Sequence, residues 1–357
     1  MDLQDFVSFP HQIKTEPWQL GSKLKNQLPQ NGVALLFVSD NRGTNGKADM
    51  ADFTGIREQL YRLSGSDLDI PIFDIGDLVS GKTQDDTHYI LQEILTTCHQ
   101  KNTIPVVLGG SNDLSYSLFS ALNFLQKGIN YTQISNVVWL NNDSGQLNEK
   151  NFLSHIFSSK QFTINNYHHL GYQKHLNEMD SVQLVKDVDF DVVRLAEMMG
   201  NMNRIEPFFR RADLVTINAD AIESFAGAFS LNPQVNGLNR REICACMKEI
   251  GLGQNLKSVG IFNLNLETQN PLNHQLLVQM IWYLLEGISI QNSHPKERNY
   301  ETFWVLVDDM QFAFKRETFS GLWYFGEDEN IENCLPCAQD DYEQAKRGFL
   351  NKRLQKK

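Results

Sequence analysis

Short apolar runs that end in polar or glycine residues recur along the chain, and they constrain the fold more than any other feature. The runs lie at 33–39, 70–75, 104–110, 137–141, 214–220 and 258–265. Their central residues are mostly Val, Ile, Leu and Phe, with little alternation between polar and apolar residues. Strands that are buried on both faces of a parallel sheet have this pattern. The runs therefore predict a parallel β-sheet that is covered on both sides.

Helical periodicity fills the intervals between these runs. Apolar residues repeat at helical spacing in residues 90–98, 114–125 and 198–209. Residues 275–286 are apolar on most sides, which predicts a buried helix. Strands that alternate with helices imply right-handed crossovers, with helices on both faces of the sheet. We expect an α/β fold of three layers, α/β/α.

The pattern changes after residue 295. Three further strand patterns follow, at 303–307, 311–315 and 322–325. They predict a small β-meander appended to the sheet. Residues 346–357 hold six basic residues and predict a solvated tail. We expect an α/β domain at 1–295, with a β-rich extension and basic tail at 296–357 packed on the same domain.

The acidic charge of the chain excludes two classes of partner. The formal net charge is -11 at pH 7, so we expect neither nucleic acid nor an anionic membrane surface as a partner. Residues 1–10 lack the basic cluster and apolar run of a signal peptide. The most apolar stretch, 276–290, is too short to span a bilayer. These features predict a cytoplasmic protein.

The five cysteines are an odd number scattered over a large chain, which does not favour a disulfide framework. Cys334 and Cys337 form a lone C-x-x-C, and together with Cys244 and Cys246 they could hold zinc. The spacing does not support a four-ligand site strongly. The alternative is that all of these residues are reduced thiols.

Polar segments follow several of the apolar runs. They are Gly-Gly-Ser-Asn-Asp at 109–113, Asn-Asn-Asp-Ser-Gly at 141–145, Asn-Ala-Asp at 218–220 and Asn-Leu-Asn at 263–265. In an open parallel sheet, ligands bind beyond the carboxyl ends of the strands. These four segments are therefore the candidate site.

The order and spacing of the segments resemble those of the arginase (ureohydrolase) family, and of a divergent formimidoylglutamase-like branch in particular. The family carries Gly-Gly-Asp-His-Ser after one strand, Asp-Ala-His-x-Asp after the next and Asp-x-Asp after a later one. Residues 43–46, 236–238 and 279–283 add further similarity. The resemblance covers roughly residues 33–290. It implies a mostly parallel sheet of about eight strands and, in the family, two Mn ions.

The resemblance also implies where the metal ligands would lie. The His of the first motif falls on Asn112, the Asp, His and Asp of the second fall on Asn141, Asp143 and Gly145, and the Asp pair of the third falls on Asn218 and Asp220. A Glu that binds the guanidinium-like group of the substrate in arginases falls near Asn263. Only Asp143 and Asp220 are charged here, and Asp143 replaces a neutral His.

Electrostatics argues against a binuclear centre on these residues. At an effective dielectric of 20, two unit charges ~4 Å apart repel by about 4 kcal/mol, and doubling both charges quadruples that repulsion. Bridging carboxylates must offset it, and Mn²⁺ also uses imidazole. Without the two metals, no group generates the hydroxide that attacks a C=N carbon. We therefore expect no resident metal cofactor and no catalytic residues.

Weaker cation sites stay open. Asp143 and Asp220 could hold one Mg²⁺ or Ca²⁺ with help from neighbouring asparagine carbonyls. Asp113 or Glu223 could instead provide a displaced ligand. The alternative for each carboxylate is to accept hydrogen bonds from neighbouring amides.

Other polar groups have ordinary structural interpretations beside functional ones. Residues 109–111 could bind an anion through backbone N–H groups, but a tight strand-to-helix turn is favoured. His168 and His169 follow a strand predicted at 162–166, and adjacent strand residues point to opposite faces, so they are poor joint ligands. His155 lies where arginases carry a helpful His, although its surroundings match poorly.

The leading hypothesis is a pseudoenzyme of the arginase family. Its former metal cleft, formed by Asn112, Asn141, Asp143, Asn218, Asp220 and Asn263, would bind a small ligand or act as a scaffold. The alternative is an active C–N hydrolase on a formimidoyl or guanidino substrate with a rearranged or single-metal site. A third possibility is a structural subunit that forms a homo-oligomer through the strands at 303–325.

Overall fold

A computed structural model describes residues 5–48, 51–141, 145–199, 201–224, 227–268 and 270–355. The central-sheet strands within these ranges are Val7–Ser8 (β1), Val33–Phe37 (β2), Ile72–Leu78 (β3), Ile104–Leu108 (β4), Ile129–Ile134 (β5), Ile164–Tyr172 (β6), Asp191–Arg194 (β7), Leu214–Asn218 (β8) and Ser258–Phe262 (β9). Their order in the sheet is β1-β3-β2-β4-β9-β8-β5-β6-β7. The pairing of β1 with β3 is antiparallel and the other pairings are parallel. The expected mostly parallel sheet of about eight strands is confirmed.

Helices cover both faces of this sheet. The helices of the described ranges are Thr54–Tyr61 (α1), Gln84–Gln100 (α2), Ser115–Leu125 (α3), Phe152–Ser158 (α4), Met179–Asp187 (α5), Leu195–Met198 (α6), Glu206–Phe209 (α7), Arg240–Gly251 (α8), Pro271–Ser293 (α9) and Gln339–Ala345 (α10). One hydrophobic core joins the sheet to α1, α8 and α9, and a second joins its other face to α2, α3, α4 and α5. The three-layer α/β/α expectation is confirmed.

Local sequence fixes where the principal helices begin. Thr83 caps α2 through a capping box with Asp86, and Asn239 caps α8 in the same way with Glu242. The side chain of Asn270 accepts the N–H of Leu272 at the start of α9. These caps hold the helices at defined positions against the sheet.

One predicted strand is wrong. Residues 137–141 form turn and coil, and the strand that lies beside β8 is β5, which begins and ends earlier in the chain. β5 was missed because its sequence, INYTQI, contains polar residues although it is buried. Those polar groups find partners inside the fold, since the hydroxyl of Tyr131 lies 2.6 Å from Thr216 Oγ1 and Gln133 Oε1 accepts from Tyr167. Internal hydrogen bonds therefore allow a polar strand in the interior of the sheet, between β8 and β6.

The apolar stripe at 198–209 does not form one helix. The chain forms the short helix α6, a 3₁₀ turn at Met202–Arg204 and then α7. Pro207 lies in the first turn of α7, where a missing N–H is tolerated. The stripe is buried as expected at Met198, Ile205 and Phe209, but on three separate turns.

The C-terminal strands form a sheet of their own rather than an extension of the central one. The strands are Tyr300–Val307 (β10), Met310–Glu317 (β11), Trp323–Phe325 (β12) and Leu335–Cys337 (β13). They pair antiparallel in chain order. Asp308 and Asp309 both have positive φ, 47° and 61°, and close the β10–β11 hairpin with a two-residue turn that follows the strand twist.

Arg210, just after α7, joins the two sheets. Its guanidinium is buried and donates to the backbone oxygens of Trp323, at 2.5 Å, and Cys337, at 3.2 Å. The same group is paired with the carboxylate of Glu206 and lies over the ring of Tyr324, 4.6 Å from its centre. One side chain thus supplies hydrogen bonds to two strands of the second sheet.

The basic tail is not wholly solvated, which corrects the prediction for residues 346–357. Leu354 is buried in the core of the second sheet, and the guanidinium of Arg353 lies over the ring of Phe208. Lys346 and Arg347 are exposed as predicted. The prediction considered only the number of charges, and so it missed that Leu354 and Arg353 attach this segment to the rest of the protein.

Among the helices in the part of the chain that the structure describes, none is both long and apolar enough to cross a membrane. A cytoplasmic location stays a prediction from the sequence, as does a homo-oligomer formed through the second sheet.

Candidate functional site

Three neighbouring strands, β4, β9 and β8, bring polar segments together at their carboxyl ends. After β4 the chain turns sharply through Gly109 and Gly110, whose φ values are 90° and 76°. A Cβ on Gly109 would lie 2.3 Å from the backbone oxygen of Val38, so the close approach requires glycine. This geometry agrees with the tight strand-to-helix turn favoured above. It places Asn112 beside the ends of β8 and β9.

Asn263, the first residue after β9, is the centre of the site. Its side chain is fully buried, and its Oδ1 accepts the backbone N–H of Asn112 at 2.9 Å. Its Nδ2 donates to Asp220 Oδ2 at 2.8 Å and to Glu149 Oε2 at 2.9 Å. One neutral amide therefore joins two carboxylates and the first polar segment. We call Asn112, Glu149, Asp220 and Asn263 the amide cluster.

The carboxylate of Asp220 is surrounded by neutral donors. Asn232 donates to it twice, from its backbone N–H at 2.9 Å and from its side-chain amide at 3.1 Å. With the amide of Asn263, the carboxylate accepts three hydrogen bonds. The side chain of Asn218 turns back instead, and accepts the backbone N–H of Asp220 at 2.9 Å. Amide donors thus meet the hydrogen-bonding needs of Asp220 without any cation.

Glu149 belongs to the site although the sequence analysis did not find it. Its backbone N–H donates to the oxygen of Gly43 at 3.1 Å, which ties the loop after the second polar segment to the loop after β2. Burial raises the pKa of Glu149, the hydrogen bond from Asn263 opposes that rise, and the charge of Asp220 adds to it. The two loops that meet here were each noted in the sequence, but nothing in the sequence pairs them.

Asp113 follows Asn112 of the amide cluster, and one of its carboxylate oxygens contacts residues outside the cluster. Its Oδ2 accepts from Gln84 Nε2 at 2.8 Å and lies 2.9 Å from His88 Nε2. Its Oδ1 is buried against Gly43, where an added Cβ would come within 1.8 Å. The other nitrogen of His88 lies 2.7 Å from Ser117 Oγ. This chain of hydrogen bonds holds α2 and α3 to the cleft.

Two buried polar atoms of this region have no hydrogen-bond partner among the described residues. They are Asn112 Nδ2 and Asp113 Oδ1. Asn112 Oδ1 accepts from Ser115 Oγ at 3.2 Å, so its amide is oriented with the donor end free. Each atom leaves part of its hydrogen-bonding capacity unused inside the site.

The structure does not bring all the predicted residues into the cleft. Asn141 and Gly145 are exposed, and the backbone N–H of Asn141 donates to the oxygen of Lys150. Asp143 lies outside the described residues. The second polar segment follows coil rather than a strand end, because β5 has already finished at Ile134. Of the six residues assigned to the cleft, Asn112, Asn218, Asp220 and Asn263 are together.

The histidines singled out in the sequence lie apart from this cluster. His169 is buried, with its ring nitrogens 2.9 Å from the hydroxyl of Tyr167 and 3.0 Å from the oxygen of Ser135, and burial lowers its pKa to about 4. His168 pairs with Asp191 at 3.0 Å. His155 lines a separate cavity of about 260 Å³ beside His88. The contacts of His168 and His169 indicate structural roles.

Potential zinc ligands do not converge in the described part of the chain. The five cysteines are buried free thiols, and burial raises the pKa of Cys337 and Cys246. Within the described ranges, no three His, Cys, Asp or Glu side chains form a group that could hold a metal ion. Glu223 hydrogen-bonds through its backbone to Leu238.

Comparison with known structures gives close agreement in fold. A formiminoglutamase from Trypanosoma cruzi, described with Mn²⁺₂, has 17% identity and a TM-score of 0.68, covering 78% of this chain and 99% of its own. The formimidoylglutamase from Bacillus subtilis has 14% identity and a TM-score of 0.65, covering 75% and 90%. The proclavaminate amidino hydrolase from Streptomyces clavuligerus has 15% identity and a TM-score of 0.63, covering 78% and 95%.

The sequence comparison reaches the same family by a separate route. The profile of the Arginase family matches residues 43–285, which is more than half of the chain. A comparison with curated protein sequences found no match. The matched region contains the amide cluster and the strands that carry it. Because the family profile matches more than half of the chain and the fold is shared, the chain belongs to the arginase family.

Proposed function

We propose that this protein is a non-catalytic member of the arginase family, whose former metal cleft has become an internal hydrogen-bonded support for the sheet. The observation that carries the proposal is the bridging amide of Asn263, which donates to both Asp220 and Glu149. In a binuclear centre, the carboxylates face cations. Here they face N–H groups.

The residues described do not fit two manganese ions. A cation between Asp220 and Glu149 would have to displace the Nδ2 hydrogens of Asn263. The Trypanosoma cruzi formiminoglutamase is described with Mn²⁺₂. In this chain the amide hydrogens take the place of such charges, so no metal-bound nucleophile is available for attack on a C=N carbon.

Burial of the amide cluster supports a structural role over ligand binding in the cleft. Asn112 and Asn263 are 0% exposed, and Asp220 is 4% exposed. A substrate would have to break several of these hydrogen bonds to reach the carboxylates. Each buried polar group left unpaired costs about 1–3 kcal/mol. The cluster is therefore better suited to holding β4, β8 and β9 together than to opening for a ligand.

One observation favours the alternative, a C–N hydrolase with a single cation. Glu149 adds a third carboxylate near Asp113 and Asp220, and the charges of both raise its pKa. A divalent cation favours a group of carboxylate oxygens. Such a cation would require Asn263 to rotate away. The alternative thus requires the side chain of Asn263 to move, whereas the proposed function requires it to stay between Asp220 and Glu149.

Metal analysis with an activity assay separates the two functions. Full-length protein is dialysed against Mn²⁺, and bound metal is counted by mass spectrometry while release of formamide, urea or ammonia is followed with formimidoyl and guanidino substrates. We expect almost no bound Mn and no product. About two Mn per chain with product would overturn the proposal. One ion with product would establish the single-cation hydrolase instead.

A restoration variant tests the motif alignment behind this argument. It carries Asn112→His, Asn141→Asp, Asp143→His, Gly145→Asp and Asn218→Asp. We expect a higher Mn²⁺ affinity, because carboxylates and imidazoles replace neutral side chains. Circular dichroism verifies that the variant is folded. Unchanged affinity in a folded variant would show that the positions were assigned wrongly.

A further inference from the structure

A cavity of about 640 Å³ lies away from the amide cluster, between the central fold and the C-terminal extension. One wall comes from β7, α6 and α7 and includes Val193, Ile205 and Phe208. The other comes from α10 and the tail and includes Gln344 and Arg353. Small-molecule sites have volumes of roughly 300–1,000 Å³ and occur preferentially where two units of a fold meet. Nothing in the proposed function uses this space.

Arg353 gives the cavity a positive group with unused hydrogen-bonding capacity. Its guanidinium lies 4.7 Å from the ring centre of Phe208 and donates to the backbone oxygen of Pro336. Within the described ranges, no carboxylate lies at ion-pair distance from it. A guanidinium has five N–H donors in a planar fork, so most of its donors remain for another acceptor. The contact with the ring of Phe208 and the hydrogen bond to Pro336 hold the guanidinium at this wall of the cavity.

The other charged groups of the cavity differ from Arg353 because the structure gives most of them partners. Arg204 pairs with Asp340, and Asp191 pairs with His168. Asp341 accepts the backbone N–H of Ala338 at 2.9 Å and the amide of Asn351 at 2.7 Å. Glu197 is exposed at the rim of the cavity, where water solvates it. Asp191, Glu197 and Asp341 keep their negative charge, so an anion is attracted locally by the guanidinium of Arg353 and not by the cavity as a whole.

The remaining lining determines what kind of anion fits. The apolar side chains of Val193, Ile205 and Phe208 offer a surface for an apolar body, and the amide of Gln344 offers a donor and an acceptor. A bare inorganic anion would leave most of the cavity filled with water. We propose that the cavity binds a small organic carboxylate with an aromatic or apolar body, whose carboxylate pairs with the guanidinium fork of Arg353.

Calorimetric titration of the full-length protein tests this proposal with three probes: benzoate, its neutral analogue benzamide, and inorganic phosphate. We expect benzoate to bind at least about tenfold more tightly than either of the others. The Arg353→Met variant keeps the apolar stem and should weaken benzoate binding at least about tenfold, which corresponds to about 1.4 kcal/mol. The matched control, Arg347→Met, removes an exposed charge outside the cavity and should leave binding unchanged.

A second variant keeps the test decisive if Arg353→Met fails to fold. Ala196 is exposed and lines the cavity, so Ala196→Trp should fill part of the space and weaken benzoate binding while Arg353 remains. Equal benzoate binding by wild type and either folded variant would overturn the proposal. It would also be overturned if benzoate failed to bind the wild type at about 10 mM, or if phosphate bound as tightly as benzoate. A failure here leaves the metal assay of the proposed function unaffected.

Discussion

Two buried polar centres in this molecule handle charge in opposite ways. Around Arg210, a buried cation has a carboxylate partner in Glu206 and two backbone oxygens of the second sheet. In the amide cluster, the buried carboxylates of Glu149 and Asp220 share one neutral amide and form no ion pair among the described residues. The first centre neutralises its charge, whereas the second only solvates it.

The pKa shifts follow this difference. Burial alone would lower the pKa of Arg210, but the hydrogen bonds and the negative charge of Glu206, with smaller contributions from Tyr324 and Cys337, together raise it. For Glu149, burial raises the pKa and the single hydrogen bond from Asn263 does not offset it. The carboxylates of the amide cluster thus accept hydrogen bonds from neutral donors, whereas Arg210 is paired with an opposite charge. The comparison predicts that removing the cation at Arg210 is costly, whereas removing the charge of Glu149 is beneficial.

The largest effect is expected for Arg210→Met. The variant leaves Glu206 without its partner and frees the oxygens of Trp323 and Cys337, so we expect a loss of about 3–5 kcal/mol in the free energy of unfolding. Urea denaturation at pH 7 measures it. Arg241→Met, on the exposed side of α8, is the control and should change little. A loss below about 1 kcal/mol would mean that the second sheet docks without this centre.

Asn263→Asp tests the amide cluster directly. The new carboxylate would replace two donated hydrogen bonds with repulsion from Asp220 and Glu149, so we expect a loss of about 2–4 kcal/mol at pH 7. Protonation should restore part of this loss as the pH falls, because adjacent carboxylates then share protons. Asn31→Asp is a matched control, since Asn31 is exposed and also has positive φ, 54°. Full stability of the Asn263→Asp variant at pH 7 would contradict the bridging role.

Glu249→Gln tests a carboxylate that is influenced by the charge of Arg210 but takes no part in the Arg210–Glu206 ion pair. Burial, followed by the charge of Glu206, raises the pKa of Glu249 to about 7. The folded state therefore binds more protons than the unfolded state between the ordinary value of 4.5 and about 7, and stability falls as the pH rises through that window. We expect the variant to gain about 1–2 kcal/mol above pH 7, a value reduced for partial exposure, and nothing below pH 4.

Denaturation of the Glu249→Gln variant across this pH range measures the effect. The half-exposed Glu58→Gln control on α1, where Glu58 makes a 3.9 Å ion-pair contact with Arg62, should show no such dependence. An equal gain at every pH would assign the effect to something other than the charge of Glu249.

The smallest effect is expected for Glu149→Gln. Glutamine can still accept from Asn263 but carries no charge into the buried cluster, so we expect a gain of about 1 kcal/mol at pH 7. Because the pKa of Glu149 is raised in the folded protein, the gain should grow as the pH rises above the ordinary glutamate value and vanish in acid. Thermal unfolding at several pH values measures it, with exposed Glu16→Gln as control. A loss of stability at pH 7 would indicate that the charge of Glu149 has a cationic partner.

The fold and part of the site could be predicted because they depend on local patterns. The apolar runs of β2, β4, β8 and β9 are fully buried or nearly so, and their polar ends meet because the strands are neighbours. The polar segments that contain Asn112, Asp220 and Asn263 were therefore found from their positions, and the resemblance to the arginase family then singled out these residues. Patterns of this kind indicate which residues are buried and where strands end, and both can be recognised in a single sequence.

Other features depend on pairings between distant parts of the chain. Glu149 enters the site only because its loop binds the oxygen of Gly43, and β5 is buried only because its polar side chains pair with other strands. Arg353 was counted as a tail charge, although it stacks on Phe208. Neither a hydrogen bond across loops nor a stacking contact leaves a periodic trace in sequence.

The backbone of Asn263 limits how the cleft could change. Its φ of 57° is a left-handed conformation that asparagine, aspartate and glycine adopt readily but that longer side chains resist. A glutamate at this position would have to move the peptide that hydrogen-bonds to Gly110 and Leu231. A glutamate here would therefore strain the turn after β9 unless the turn were rebuilt around it. Anyone designing a hydrolase on this chain would have to redesign the main chain after β9 before choosing any ligands.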